Sequence, residues 1–209
     1  MKNSVLFYIL LLIEILTAIV GGFRYRNLPR PLRILEWLII ISILDVGLQL
    51  TLAFYHIHNL WTSHFYTLVE IVFVVLMYSS WLKKSQNRLM LSLCLSVFVV
   101  FWIVSKFTFE PLSLLDGWTA AISKVLLITF SAFIFVDIVR ESDIVWVNDP
   151  RFWVAVGIII YSAGSLFYYA LFNIMLHASP DRLRIVLSMN RILIIVSSLL
   201  YMRGFLCKR

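Results

Sequence analysis

The sequence predicts an all-α fold: a polytopic integral membrane protein in which one seven-helix transmembrane domain occupies residues 1–209. The first observation is composition, because 62% of the 209 residues are hydrophobic and 14% are charged, whereas soluble domains average about 45–50% and about 25%. The second is a series of seven helix-length apolar runs. The third is the uneven distribution of lysine and arginine between these runs. Lipid must therefore be the solvent for most of the chain.

The first three apolar runs lie at about 4–23, 34–55 and 65–82. Each has about the 20 residues that an α-helix needs to cross the hydrocarbon core of a bilayer. Each also contains at least one acidic residue, which is costly in lipid and needs a partner or a function.

The remaining four runs lie at about 89–106, 118–139, 152–175 and 185–203. The fourth has no ionisable residue in its interior, so it is the best candidate for a helix that faces lipid or another copy. The fifth and the seventh each contain one basic residue well inside the run.

Proline placement supports these boundaries, because proline is tolerated in the first turn of a helix and disrupts a helix interior. All five prolines lie between the runs. Asp149-Pro150 and Ser179-Pro180 each combine an N-cap residue with a first-turn proline, which predicts the starts of helices six and seven. Gly157 and Gly164 share one face of helix six and predict close packing against another helix.

The basic residues predict the orientation, because lysine and arginine near membrane spans concentrate on the cytoplasmic side. One set of alternate connections holds twelve of them: Arg24, Arg26, Arg30, Arg33, Lys83, Lys84, Arg88, Arg140, Arg151, Arg203, Lys208 and Arg209. The opposite set holds four: Lys2, Lys106, Arg182 and Arg184. The N-terminus is therefore predicted outside and the C-terminus in the cytoplasm.

Polar residues inside the runs are the main functional candidates, because a charged group at mid-bilayer costs roughly 2.5–3.5 kcal/mol on insertion scales. The deepest ionisable ones, together with two amides, Gln49 on the same helix face as Asp45 and Asn190 next to Arg191, make up seven predicted core residues: Glu14, Asp45, Gln49, Glu70, Lys124, Asn190 and Arg191. One interpretation is an outward-opening polar pocket that binds a ligand. The other is a set of buried ion pairs that fix the register of the helices.

All four histidines fall at the predicted outer ends of helices: His56, His58, His64 and His177. His58 and His64 with Glu110 or Asp116 offer zinc-type ligands, but the spacing is not that of a compact metal site. Proton sensing and interfacial hydrogen bonding are the other interpretations. We predict no metal and no cofactor.

Several classes of protein are disfavoured. The helices lack the central proline and glycine breaks typical of many secondary transporters. Helix seven has no lysine for a retinal Schiff base and no histidine for a metal-dependent intramembrane hydrolase. Two cysteines do not make a disulfide framework, and no nucleotide-binding or nucleic-acid-binding signature is present.

Three segments carry a resemblance to a known kind of protein: HNLWTSHFYTLVEIVFVVLMY, DPRFWVAVGIIIYSAGSLF and NRILIIVSSLLYMRGFLCKR. They resemble small, poorly characterised bacterial seven-helix membrane proteins, which are similar to the sensor-type membrane regions joined to signalling domains. The resemblance implies an inner-membrane location. It also marks four positions for testing: Asn59, Glu70, Trp153 and Asn190.

Three functional hypotheses follow. The first is a receptor- or sensor-like module that binds a small or lipidic ligand from the outer side and signals through a separate cytoplasmic or membrane partner. The alternative is a proton or small-ion transporter or channel that uses the intramembrane carboxylates. The third is an intramembrane lipid-modifying enzyme. All three place the chain in a cell membrane with the lipid bilayer as its first partner.

Overall fold

Seven long α-helices make up almost all of the structure, a computed structural model that describes residues 2–140, 146–175 and 180–207 and, within them, the side chains of 5–140, 146–169 and 184–207. No strand occurs in these ranges. The helices are α1 (Lys2–Arg24), α2 (Arg30–Phe54), α3 (Leu60–Trp81), α4 (Ser85–Thr108), α5 (Gly117–Arg140), α6 (Pro150–Met175) and α7 (Pro180–Leu206).

The seven helices coincide with the seven apolar runs, and each is long and apolar enough to cross a membrane. The predicted all-α class and the number of candidate spans are therefore confirmed. The direction in which the chain crosses a bilayer stays a prediction.

Two helices begin where the prolines predict. Pro150 is the first residue of α6 and Pro180 is the first residue of α7. Asp149 caps α6: its Oδ1 accepts a hydrogen bond from the backbone N–H of Arg151 at 2.8 Å, and its Oδ2 pairs with the Arg151 guanidinium at 2.7 Å. Capping by Ser179 lies outside the described residues.

The chain divides into two compact units. The terminal unit comprises the described residues of Met1–Leu28 and Lys124–Arg209, and the central unit comprises Pro29–Ser123. In the terminal unit α7 packs against both α1 and α6, and in the central unit α3 packs against both α2 and α4. The expectation of one seven-helix domain stays a prediction.

Helix α4 presents mainly apolar side chains outward, as expected of a helix that faces lipid. Val97, for example, is 70% exposed. Its buried residues form one stripe: Leu91, Phe98, Trp102 and Ser105.

Close packing of α6 and α7 at the two predicted glycines is confirmed. A Cβ atom at Gly157 would lie 3.0 Å from Cδ1 of Tyr201 and 3.4 Å from the backbone oxygen of Ser197. A Cβ atom at Gly164 would overlap Cδ1 of Leu193 and lie 3.2 Å from its Cβ and Cγ. The missing side chains therefore let the two helices approach each other.

The substitution Gly164→Ala is expected to destabilise the protein by about 1–3 kcal/mol, because the added methyl group overpacks the α6–α7 contact. Gly47→Ala is the matched control, since nothing lies within 4 Å of a Cβ atom there. Alanine is a better helix former than glycine, so the control should be neutral or up to about 1 kcal/mol more stable. Unfolding of the purified variants in detergent measures both changes. Equal effects at the two positions would contradict the packing argument.

Candidate functional site

Lys106, near the end of α4, is the centre of a buried polar network in the central unit. Its Nζ donates to Nδ1 of His64, to Oε2 of Glu110 at 2.9 Å and to Oγ1 of Thr119 at 3.2 Å. The Lys106 side chain is only 6% exposed. Because a lysine ammonium has three donors, all three are used. We call these four residues the His64–Lys106 network.

The partners of His64 assign the roles of its two ring nitrogens. Its Nε2 lies 2.8 Å from the backbone oxygen of Leu114, which only accepts, and its Nδ1 faces the Lys106 ammonium, which only donates. The Nε2–H group therefore donates to Leu114, and Nδ1 accepts from Lys106. The Trp102 indole N–H donates to the backbone oxygen of His64 at 3.1 Å and adds a further tie between α4 and α3.

The Glu110 carboxylate caps the N-terminal end of α5. Its Oε1 accepts a hydrogen bond from the backbone N–H of Trp118 at 2.7 Å, and its Oε2 accepts one from the Thr119 hydroxyl. The first N–H groups of a helix have no partner within that helix, and a negative charge there is stabilised by the helix dipole. Glu110 thus compensates both the Lys106 charge and the open end of α5.

Asp116 ties the α4–α5 connection to α3. It is fully buried, and its Oδ2 accepts a hydrogen bond from the Thr67 hydroxyl at 2.6 Å. Ser63 Oγ lies 3.0 Å from Asp116 Oδ1 and 2.7 Å from the backbone oxygen of Leu60. One hydroxyl proton cannot serve both oxygens fully. A proton on Asp116 would satisfy both contacts.

Burial of Asp116 acts in the same direction. It raises the pKa of the Asp116 carboxyl, against the hydrogen bonds from Thr67 and Ser63 and the influence of His64, which lower this pKa, and the charge of Glu110 adds a smaller increase. Asp116 lies just before α5, in the segment between two apolar spans.

A groove between α2 and α3 contains a predicted site residue, Asp45. It has a volume of about 240 Å³. Its wall consists mostly of apolar and aromatic side chains with one carboxylate: Ile41, Leu44, Asp45, Leu48, Trp61, Thr62, Phe65, Tyr66 and Val69. We call it the α2–α3 groove. Leu44 and Leu48 are exposed, so the groove is open at the surface of the helices.

Asp45 is only half-buried in this wall. Its Oδ2 accepts a hydrogen bond from the Gln49 side chain at 2.7 Å, one turn further along α2. The Asn59 side chain donates to the backbone oxygen of Gln49 at 3.2 Å, which ties the end of α2 to the start of α3. The predicted shared face of Asp45 and Gln49 is therefore confirmed.

Aromatic rings connect the groove to the His64–Lys106 network. Trp61 and Phe65 meet edge to face, with their ring centroids 6.1 Å apart. The Phe65 ring lies 5.6 Å from that of Trp102, and Lys106 Nζ lies 5.3 Å from the Trp102 ring. Trp102 contacts both the wall of the groove and the network.

The remaining predicted core residues belong to different units. Glu70 is buried in the central unit, and Glu14 is buried in the terminal unit. Also in the terminal unit, Lys124 is 1% exposed and donates to the Tyr161 hydroxyl at 2.9 Å.

Two further predicted residues lie on α7 of the terminal unit. Asn190 Oδ1 accepts a hydrogen bond from Ser165 at 3.2 Å, and the Arg191 guanidinium lies 5.6 Å from the Phe7 ring. Convergence of all seven predicted core residues into one pocket stays a prediction.

The four histidines occupy different environments. His56 is exposed and has a positive φ of 56° in the turn after α2, and His58 is exposed with its Nε2 3.1 Å from the backbone oxygen of Ser113. His64 is fully buried within the network. His177 lies outside the described residues.

A zinc site at His64 is disfavoured, because both of its ring nitrogens already have hydrogen-bond partners. Within the described ranges, no group of three or more His, Cys, Asp or Glu side chains is placed to hold a metal ion.

The sequence analysis missed that Lys106 joins His64, Glu110 and Thr119. It used Lys106 only as one of the basic residues that predict the orientation. It treated Glu110 and Asp116 only as possible zinc ligands. The available signal was the spacing of Ser63 and Thr67, four residues apart on one helix face opposite a loop with two acids.

No protein-family model, curated protein or solved structure matches this chain.

The substitution Asp116→Asn should change the pH dependence of stability. A carboxyl whose pKa is raised on folding stabilises the folded state below its ordinary value of 3.8 and loses this contribution as the pH rises through the raised value. The melting temperature of the wild type should therefore fall relative to that of the variant as the pH increases from about 4 to about 8. Thermal unfolding in detergent at matched pH values measures the difference. A difference that stays constant over this range would exclude a raised pKa at Asp116.

Proposed function

We propose that the protein is a receptor- or sensor-like membrane module that binds a small amphiphilic ligand in the α2–α3 groove and signals through a separate partner. The observation that carries this proposal is the groove itself: an apolar wall that is open at the helix surface and contains one carboxylate, Asp45. Ligand sites in proteins are concave and mostly apolar, with a few polar groups that orient the ligand. A lipidic molecule has matching chemistry, because its chain is apolar and its head is polar.

Helix α3 is the element that would transmit binding. One face of α3 lines the groove through Thr62, Phe65, Tyr66 and Val69. The other face holds the network and the α4–α5 connection through Ser63, His64 and Thr67. A ligand that shifts α3 changes the second set of contacts, and it does so only if it binds the two arrangements of α3 with different affinity.

The substitution Val69→Phe should reduce ligand binding by about ten-fold, because the larger side chain fills part of the groove. This factor corresponds to a loss of about 1.4 kcal/mol of binding free energy. The probes are alkyl diazirines of one chain length with an amine, a hydroxyl or a carboxylate head. Each is photolysed with the protein in lipid nanodiscs, and the labelled residues are mapped by mass spectrometry. Val97→Phe is the matched control on the exposed face of α4. If none of the three probes labels the groove, the proposed function is wrong.

The substitution Trp102→Phe tests whether the groove and the network are coupled. It keeps an aromatic ring beside Phe65 and removes the indole N–H that binds the backbone oxygen of His64. We expect probe labelling of the groove to persist, whereas the probe-induced change in amide hydrogen exchange at residues 109–116 should decrease. Trp118→Phe is the control, since the Trp118 side chain is 65% exposed. Equal exchange changes in both variants would contradict the coupling.

Proton or small-ion transport is the second candidate, and the observation in its favour is the burial of Glu14, Glu70 and Lys124 within apolar helices. Ionisable groups at such depth occur in proton relays and ion pathways. The two candidates differ in a flux assay with proteoliposomes. A selective conductance that Glu70→Gln abolishes would replace the receptor proposal with a transporter.

A further inference from the structure

The chemistry of the α2–α3 groove narrows the class of ligand that it can take. Asp45 is the one carboxylate of its wall. Gln49 occupies Oδ2 of this carboxylate, while Oδ1 accepts no hydrogen bond from the described part of the chain. Asp45, a residue of the groove wall, therefore keeps one oxygen that accepts no hydrogen bond from these residues.

The depth of Asp45 makes this free oxygen significant. Asp45 lies nine residues before the end of α2, which places it about 13 Å along the helix from that end at 1.5 Å per residue. A carboxylate at this depth is costly unless a cation or a donor compensates it. The Gln49 amide supplies one donor and no positive charge.

The aromatic residues of the wall have the same preference. Trp61, Phe65 and Tyr66 line the groove together with Asp45. The faces of aromatic rings carry partial negative charge and attract ammonium groups. Carboxylate and rings both favour a cationic head and disfavour an anionic one.

The rest of the wall fits an alkyl chain. Ile41, Leu44, Leu48 and Val69 provide an apolar surface beside Asp45, and Leu44 and Leu48 are exposed where bilayer lipid would meet the helices. A single chain can lie on this surface and continue into the bilayer, which favours its burial by the hydrophobic effect.

We propose that the α2–α3 groove selects an amphiphile with one alkyl chain and a protonated amine head, and that the ammonium group pairs with Oδ1 of Asp45. This inference rests on the groove being the ligand site proposed above. It adds the charge of the head group and names Asp45 as the residue that binds it.

The test compares the three diazirine probes on the wild-type protein in nanodiscs of uncharged or zwitterionic lipid, so that the bulk membrane does not concentrate one probe. Labelling of groove residues by the amine probe should be about ten-fold stronger than labelling by the alcohol, as expected for a close charge pair with little water, and the carboxylate should label least. This comparison needs no variant and so does not depend on a mutant folding.

Asp45→Asn then tests whether Asp45 is the residue that binds the amine head group. It should reduce labelling by the amine to the level of the alcohol and leave the alcohol unchanged. Asp137→Asn, which removes a half-buried aspartate of α5 outside the groove wall, is the matched control and should retain the preference. The elution profile and the thermal unfolding curve confirm that each variant is folded.

The outcomes separate the two proposals. If all three probes label the groove equally, or if Asp45→Asn retains the preference for the amine, selection of an amine by Asp45 is overturned and the groove remains a ligand site. If no probe labels the groove, both proposals are overturned.

Discussion

The packing of α3, α4 and the start of α5 in the central unit depends on one ion, the Lys106 ammonium. Its three N–H groups meet an imidazole on α3, a carboxylate in the α4–α5 connection and a hydroxyl on α5. Removing this charge would leave Glu110 buried without its cation, and a buried ion that loses its partner is strongly destabilising. The same ion donates to Nδ1 of His64 and so leaves Nε2 to donate to the backbone oxygen of Leu114.

The fold could be predicted from the sequence because lipid acts on each helix separately. A backbone in hydrocarbon must satisfy its own hydrogen bonds, so a run of about 20 apolar residues is a helix whatever its neighbours are. The prolines that begin α6 and α7 and the glycines at 157 and 164 are equally local signals, and the structure confirms them.

The site could be predicted only in part, because its partners come from different elements. Asp45 and Gln49 are one helical turn apart, so their bond follows from spacing along α2. The bonds between Asp116 and the hydroxyls of Ser63 and Thr67 join α3 to a connection about fifty residues further along the chain. No periodicity specifies such a pairing. From hydropathy, Lys106 only marks the end of an apolar run, whereas in the structure it bonds to His64, Glu110 and Thr119 and holds three elements together.

The number of hydrogen-bond and ionic partners distinguishes a carboxylate that stabilises the fold from one that we propose binds a ligand. Glu110 receives a lysine ammonium, a hydroxyl and the N–H groups at the start of α5, so its oxygens have no acceptor capacity to offer a guest molecule. Asp45 receives one amide from its own helix and faces a groove. Both carboxylates are costly in an apolar environment, yet of the two only Asp45 keeps an oxygen without a hydrogen bond and belongs to the wall of a groove. A buried charge that the fold itself neutralises holds the fold together, whereas Asp45, which the fold leaves half satisfied at a groove, is the charge that we propose pairs with a ligand.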